Sequence, residues 1–177
     1  MSKTQQPLAG RTALVTGASR GIGAAITKRL AADGANVIAH YGSGAEETKQ
    51  LVAQIEAAGG RATAVQADLA SAQGPFELMA RVAKQLGDDK LDILVNNAGL
   101  ARGGGIVDTT DAEWHEALEQ TLFPAIRASR LAVPHMRRRG GGAIVMIASI
   151  WGREAGGRMT YNAVKAAEIS LAKAMAQ

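Results

Sequence analysis

The chain contains no cysteine. Disulfides, thiolate nucleophiles and cysteine-bound metals are therefore excluded, although the lack of thiols does not fix a compartment. Aromatic residues are nearly as scarce, at 3% of 177 residues. A core must then be assembled from Val, Ile, Leu and Ala. Hydrophobic residues make up 47% of the chain, enough for a single domain over residues 1–177. No stretch approaches the ~18 consecutive apolar residues of a membrane span. Met1 to Gly10 is polar and lacks the apolar run of a signal peptide. Both absences lead to the expectation of a soluble, cytoplasmic protein without a membrane partner.

Charge is mildly positive, at +4. Its one dense cluster, Arg137-Arg138-Arg139, stands directly before Gly140-Gly141-Gly142. Cations suit a helix C-terminus and glycines suit the stop that follows. Aromatics do not interleave with the arginines and no nucleic-acid motif accompanies them, so no nucleic-acid partner is expected. His40, His115 and His135 lack metal-ligand spacing and are assigned ordinary helix-surface or loop roles, with no metal. The acidic pairs Glu46-Glu47 and Asp88-Asp89 fall in a turn or helix start and read as solvated.

Short β-branched runs alternate with helical patterns. Thr12–Val15, Asn36–Ala39, Ala62–Val65, Asp92–Val95 and Ala143–Ile147 carry apolar residues consecutively, as strands covered on both faces do. Between them, Ile22–Ala32, Ala45–Ala58, Gly74–Leu86 and Asp111–Arg138 have helix-forming composition. Gly34, Gly59-Gly60, Gly87 and Gly140–Gly142 fall at their ends. This alternation predicts an α/β, Rossmann-type doubly wound parallel sheet in three layers, with about five strands. The last helical segment contains Pro124 and Pro134 and is expected to bend at, or end near, a proline.

Directly after the first strand comes Thr16-Gly17-Ala18-Ser19-Arg20-Gly21-Ile22-Gly23, then a helix. Glycines admit positive φ and let a phosphate approach the backbone, while a helix N-terminus favours an anion. Strand–turn–helix context makes a pyrophosphate site the better reading. An NAD-preferring site carries an acid at the end of the second strand; here that end reads His40-Tyr41-Gly42-Ser43, with no acid before Glu46. Arg20 stands in the glycine loop, where its planar fork suits a ribose 2′-phosphate. The expected cofactor is NADP(H).

Near the other end, Tyr161 and Lys165 are four residues apart, hence on one helix face. A phenol beside a held cation exchanges its proton more readily near neutral pH. Alone, the pair is a weak pattern.

Together the motifs resemble the short-chain dehydrogenase/reductase family, in the branch that includes 3-oxoacyl-(acyl-carrier-protein) reductases, over essentially the whole chain. Thr16-Gly17-x-x-x-Gly21-x-Gly23 matches its cofactor loop, with Ser19, Arg20 and Ile22 inside it and Tyr41 and Ser43 following the second strand. Asp68-Leu69 matches the acid set against the adenine, and Asn96-Asn97-Ala98-Gly99 the motif after strand four that supports the sheet and the adenosine ribose. Ser149, Tyr161 and Lys165 match the catalytic set. The resemblance implies interconversion of a ketone, such as a 3-oxoacyl compound or acyl thioester, and a secondary alcohol. Tyr161 would be the general acid/base, Lys165 would aid it and bind the nicotinamide ribose, and Ser149 would orient the carbonyl. Trp151, Arg153 and Glu154 would lie in the loop bordering the substrate pocket. A homodimer or homotetramer is implied as well.

Two departures stand out. Where the family has an asparagine, seven residues after a tryptophan matching Trp114, this chain has Thr121, which puts the water-mediated proton relay in question. Family members also continue past this length with two further strands and a last helix. The expectation is a C-terminally truncated domain with its fifth strand at an open edge. The alternative reading is a non-catalytic dinucleotide-binding or oligomer-forming subunit, or an inactive fragment.

Overall fold

A computed structural model describes residues 6–86 and 91–177. Gly87 and the Asp88-Asp89 pair lie outside the described residues. Five strands form one parallel sheet: β1 (Thr12–Val15), β2 (Asn36–Tyr41), β3 (Arg61–Gln66), β4 (Ile93–Asn96) and β5 (Ala143–Met146), in the order β3-β2-β1-β4-β5. The helices are α1 (Gly21–Ala32), α2 (Ala45–Ala57), α3 (Gly74–Leu86), α4 (Asp111–Ala117), α5 (Phe123–Arg138) and α6 (Met159–Met175). This is the Rossmann-type fold expected from the alternation.

Strand side chains alternate between two apolar layers. Leu14, Ile38 and Leu94 point into one, packed with Leu78, Met79 and Val82 of α3 and Ala128, Ala132 and Met136 of α5. Ala13, Val15, Val37, Ala39 and Val95 point into the other, with Ala31 of α1 and Leu51 and Ile55 of α2. Small alanines on both sides let helix and sheet approach closely, which compensates for the shortage of aromatics. α6 packs against α4, α5's preceding turn and β5.

At the end where strands begin, Asp92 forms a clamp. Its carboxylate accepts from Thr12 N at 2.8 Å and pairs with Arg11 at 2.8 Å and Arg139 at 3.2 Å. Asp92 is thereby used just ahead of β4, which begins one residue later than the apolar run suggested. Arg139 follows α5, and Gly140 (φ 82°) makes the stop.

The Asp111–Arg138 segment is not one smoothly bent helix. A π-helical turn, Leu118–Leu122, separates α4 from α5, whereas Pro134 sits inside α5 without ending it. Pro124 has no N–H to offer the Gln120 carbonyl, so the α-ladder is interrupted there and a wider turn takes its place. α4 itself starts from a capping box, Thr110 with Glu113. Hydrogen bonds from the Thr110 backbone and side chain hold the Glu113 carboxyl below the usual range.

β5 is an edge strand, with Val145 43% exposed. No helix among the described residues is long and apolar enough to cross a membrane.

Candidate active site

Strand order reverses between β1 and β4: β1 leads to α1 on one face of the sheet and β4 towards α4 on the other. Such a switch point opens a crevice at the strands' C-terminal ends. A cavity of about 310 Å³ occupies it, lined among others by Gly17, Ser19, Arg20, Ser43, Asp68 and Ala98. A larger groove, about 590 Å³, lies between the C-terminal halves of α5 and α6 beside the start of β5. It contains none of the motif residues, so the chemistry is sought in the smaller cavity.

The floor of the crevice is tied together by Thr16 and Asn97. Thr16 Oγ1 donates to Val95 O at 3.3 Å and accepts from the backbone N–H groups of Asn97 and Ala98, each at 3.0 Å. Asn97 Nδ2 donates back to the carbonyls of Thr16 and Gly17 at 2.9 and 3.0 Å. Gly17 takes φ 65°, and a Cβ there would stand 3.0 Å from Ala98 Cα. At Gly23 a Cβ would collide with the Gly17 carbonyl and lie 2.6 Å from Asn97 Nδ2. Helix and loop are this close only because both positions are glycine.

α1 carries no side-chain cap and no acid in its first turn. Its leading N–H groups are therefore available to an anion, with the helix dipole behind them. Arg20, at the N-cap position, is exposed and has no ion-pair partner among the described residues. Free amides, a loop that its glycines draw tight against the helix start and a cation on the rim fit the phosphates of a dinucleotide.

His40 is part of this construction. It is 2% exposed, donates from Nε2 to Ala67 O at 3.1 Å, and accepts at Nδ1 from Gly17 N–H at 3.2 Å. These partners fix a neutral imidazole protonated on Nε2. Burial lowers its pKa to about 4. The surface or loop role expected for His40 is thus corrected: it bridges the glycine loop and the end of β3 from within the core.

The second half of the site comes from the segment after β5 and from α6. Ser149 begins a 3₁₀ turn, Ile150–Gly152, and its Oγ accepts from Trp151 N–H at 3.2 Å. Gly152 lies against the α6 backbone, where a Cβ would be 2.7 Å from Lys165 C. Lys165 is 3% exposed; its Nζ lies 5.7 Å from the Tyr161 ring centroid and donates to Ile147 O at 2.8 Å and Glu168 Oε2 at 2.7 Å. The two halves meet at Gly99, part of the cavity wall. A Cβ on it would stand 3.6 Å from Lys165 Nζ and 3.2 Å from Thr121 Cγ2. Thr121, fully buried in the π-turn, accepts from Leu100 N at 3.0 Å and donates to Leu100 O at 3.3 Å.

The short chain dehydrogenase family model matches residues 11–177. The chain belongs to the short-chain dehydrogenase family. A 3-oxoacyl-[acyl-carrier-protein] reductase, FabG, of Staphylococcus aureus is 36% identical over 168 residues, 94% of this chain and 68% of that protein. A short-chain dehydrogenase/reductase from Serratia marcescens superposes with TM-score 0.89 at 37% identity, covering 96% of this chain and 69% of its own. A metagenomic short-chain oxidoreductase solved with NADP superposes with TM-score 0.88 at 32% identity, covering 95% and 76%. This chain spans roughly two thirds of the length of the first two relatives.

Within this short-chain dehydrogenase, the expected cofactor residues sort by position. Gly17, Ser19, Arg20, Ser43, Asp68, Leu69, Ala98 and Gly99 line the cavity. Thr16 and Gly23 are buried in the loop and helix start next to that wall, while Gly21 and Ile22 are exposed at the first turn of α1. Tyr41 ends β2 beside Gln66. Asn96 is 3% exposed, and its amide is turned to Ser129 Oγ and Met146 Sδ, a support beneath the sheet. Trp151 packs its ring over Gly156 and Gly157, while Arg153 and Glu154 are exposed. Glu46 pairs with Lys49 at 2.8 Å on the surface. Asn97, His40 and Glu168 contribute to the site without having been singled out for it. Asn97 stood inside the quoted motif, whereas the apolar neighbours of His40 were the only signal of its burial.

Proposed function

We propose that the chain is an NADP(H)-dependent oxidoreductase that interconverts a ketone, 3-oxoacyl or similar, and its secondary alcohol. The observation that carries this reading is the continuity of the crevice: Gly17, Ser19 and Arg20, which lead into the uncapped α1 N-terminus, at one part of its wall, Gly99 at another, and Lys165 with Tyr161 immediately beyond. The Staphylococcus relative's name supports the substrate class and the metagenomic neighbour's bound NADP supports the cofactor.

The α1 N-terminus, Gly17 and Ser19 would hold the pyrophosphate, Arg20 and Ser43 the 2′-phosphate, and Asp68-Leu69 the adenine. When bound, the nicotinamide supplies or accepts hydride. In reduction Tyr161 gives its phenolic proton to the carbonyl oxygen; in oxidation its phenolate takes the alcohol proton. Ser149 Oγ already accepts from Trp151 N–H, which leaves its own hydroxyl proton to donate to the carbonyl oxygen. The Lys165 ammonium stabilises the negative charge left on the phenol. The hydroxyl of Thr121 is committed to the Leu100 backbone, so it offers no carboxamide to a water relay and turnover is expected to be reduced. A cytoplasmic homodimer or homotetramer is the working form of this proposal.

Purified protein should consume NADPH with a 3-oxoacyl thioester or a simple diketone. Comparable KM values for NADH and NADPH would sink the cofactor preference. NADPH binding without turnover would instead favour a non-catalytic dinucleotide-binding subunit, the reading that Thr121 supports. An unchanged kcat in a folded Thr121→Asn variant would show that no relay deficit exists.

A further inference from the structure

Glu168 lies three residues beyond Lys165 on α6 and is 1% exposed. A carboxylate at that depth is tolerated only when paired, and its partner is the Lys165 ammonium at 2.7 Å. The same Nζ donates to Ile147 O, on the chain leaving β5 towards Ser149. An ammonium has three N–H donors, so two are committed and one remains for the crevice. We infer that Glu168 is a positioning residue for Lys165: its buried carboxylate keeps the ammonium charged and docked on the Ile147 carbonyl, beside Tyr161 and Gly99. This rests on the oxidoreductase reading of the site.

The surroundings leave this task to Glu168. From α4, Glu116 is paired with Arg102 at 3.2 Å, and His115 is exposed and bonded to the Asp111 carbonyl. From the π-turn, Glu119 is paired with Arg127 at 2.7 Å. The 3₁₀ turn and β5 carry no titratable side chain. Arg153, Glu154, Arg158 and Lys173 are exposed. Among the described residues, Glu168 is thus the carboxylate within salt-bridge distance of Lys165. Burial pushes the Glu168 carboxyl up while Lys165 opposes the shift, and a carboxylate of raised proton affinity is a stronger acceptor for the ammonium. With a neutral residue there, desolvation would favour loss of the lysine proton. A neutral amine does nothing for a developing phenolate.

The test uses ¹³C-lysine-labelled protein and the variants Glu168→Gln and Glu168→Leu, with the Lys165 signal assigned by its loss in Lys165→Arg. Lys165 should titrate at lower pH in both variants than in the parent. The kcat/KM should fall about tenfold at about pH 9 yet stay within about threefold at about pH 6, with KM for NADPH changing less than kcat. A Lys165 titration and pH–rate profile identical to the parent in folded Glu168→Gln would overturn the proposal. Should both variants fail to fold, the parent still decides. Its Lys165 signal must show an acid inflection as Glu168 takes a proton, and absence of that inflection also overturns the proposal. The spectroscopic readout needs no turnover, so its failure is separable from failure of the oxidoreductase reading.

Discussion

Acidifying the protein from about pH 7 to about pH 4.5 should cost roughly 2–3 kcal/mol of stability through His40 alone. In the folded chain the imidazole is 2% exposed and its pKa is lowered to about 4, against 6.5 for an ordinary histidine. Above 6.5 the ring is neutral in both states and its contribution is fully present. Below 6.5 the unfolded chain binds a proton that the folded chain refuses, so stability falls with pH until the folded ring also protonates near 4. Each unit in that window corresponds to about 1.4 kcal/mol. The structural cause is specific: Nδ1 accepts from Gly17 N–H, and protonation would set two N–H groups against each other at 3.2 Å. Urea denaturation followed by the fluorescence of Trp114 and Trp151, at both pH values, measures the loss. Carboxylates titrate in the same range, so the comparison is with His40→Asn, which has no ring to protonate. The parent should lose roughly 2–3 kcal/mol more than the variant. Equal losses would refute the reasoning.

Gly23→Ala should weaken NADPH binding at least tenfold and cost about 1–3 kcal/mol, because the added methyl meets the Gly17 carbonyl and Asn97 Nδ2; parental affinity by titration would contradict this. Thr121→Val should destabilise by about 1–2 kcal/mol in chemical denaturation, since it removes the acceptor for the half-buried Leu100 N–H. Arg20→Ala should lower the preference for NADPH over NADH in kcat/KM by about tenfold or more, with little change for NADH.

Much of the fold was legible because its signals are local. Apolar runs at β1, β2 and β4 are consecutive, as doubly covered strands require, whereas the equally apolar β5 lies at the edge with Ala143 and Val145 exposed; glycines mark the helix ends. The π-turn was not legible: proline alone says that an α-ladder fails, not whether the chain kinks, stops or widens. The cofactor loop could be read from Gly17, Gly21 and Gly23 because backbone approach permits few alternatives. Asn96 and Asn97 are adjacent in one motif, yet one supports the sheet from below and the other knots the crevice floor. Their separation depends on strand register, which sequence does not display. Glu168 escaped notice because an acid three residues after a lysine is ordinary on a solvated helix. Only tertiary packing makes it a buried counter-ion.

The most direct test of the account is single-turnover NADPH oxidation by the parent and by Tyr161→Phe, with a 3-oxoacyl thioester and with cofactor affinity measured in parallel. The parent should turn over and the variant should lose roughly 10²–10⁴-fold in rate while binding NADPH within a few-fold of the parent. Equal rates in the two proteins would contradict the assignment of proton transfer to Tyr161.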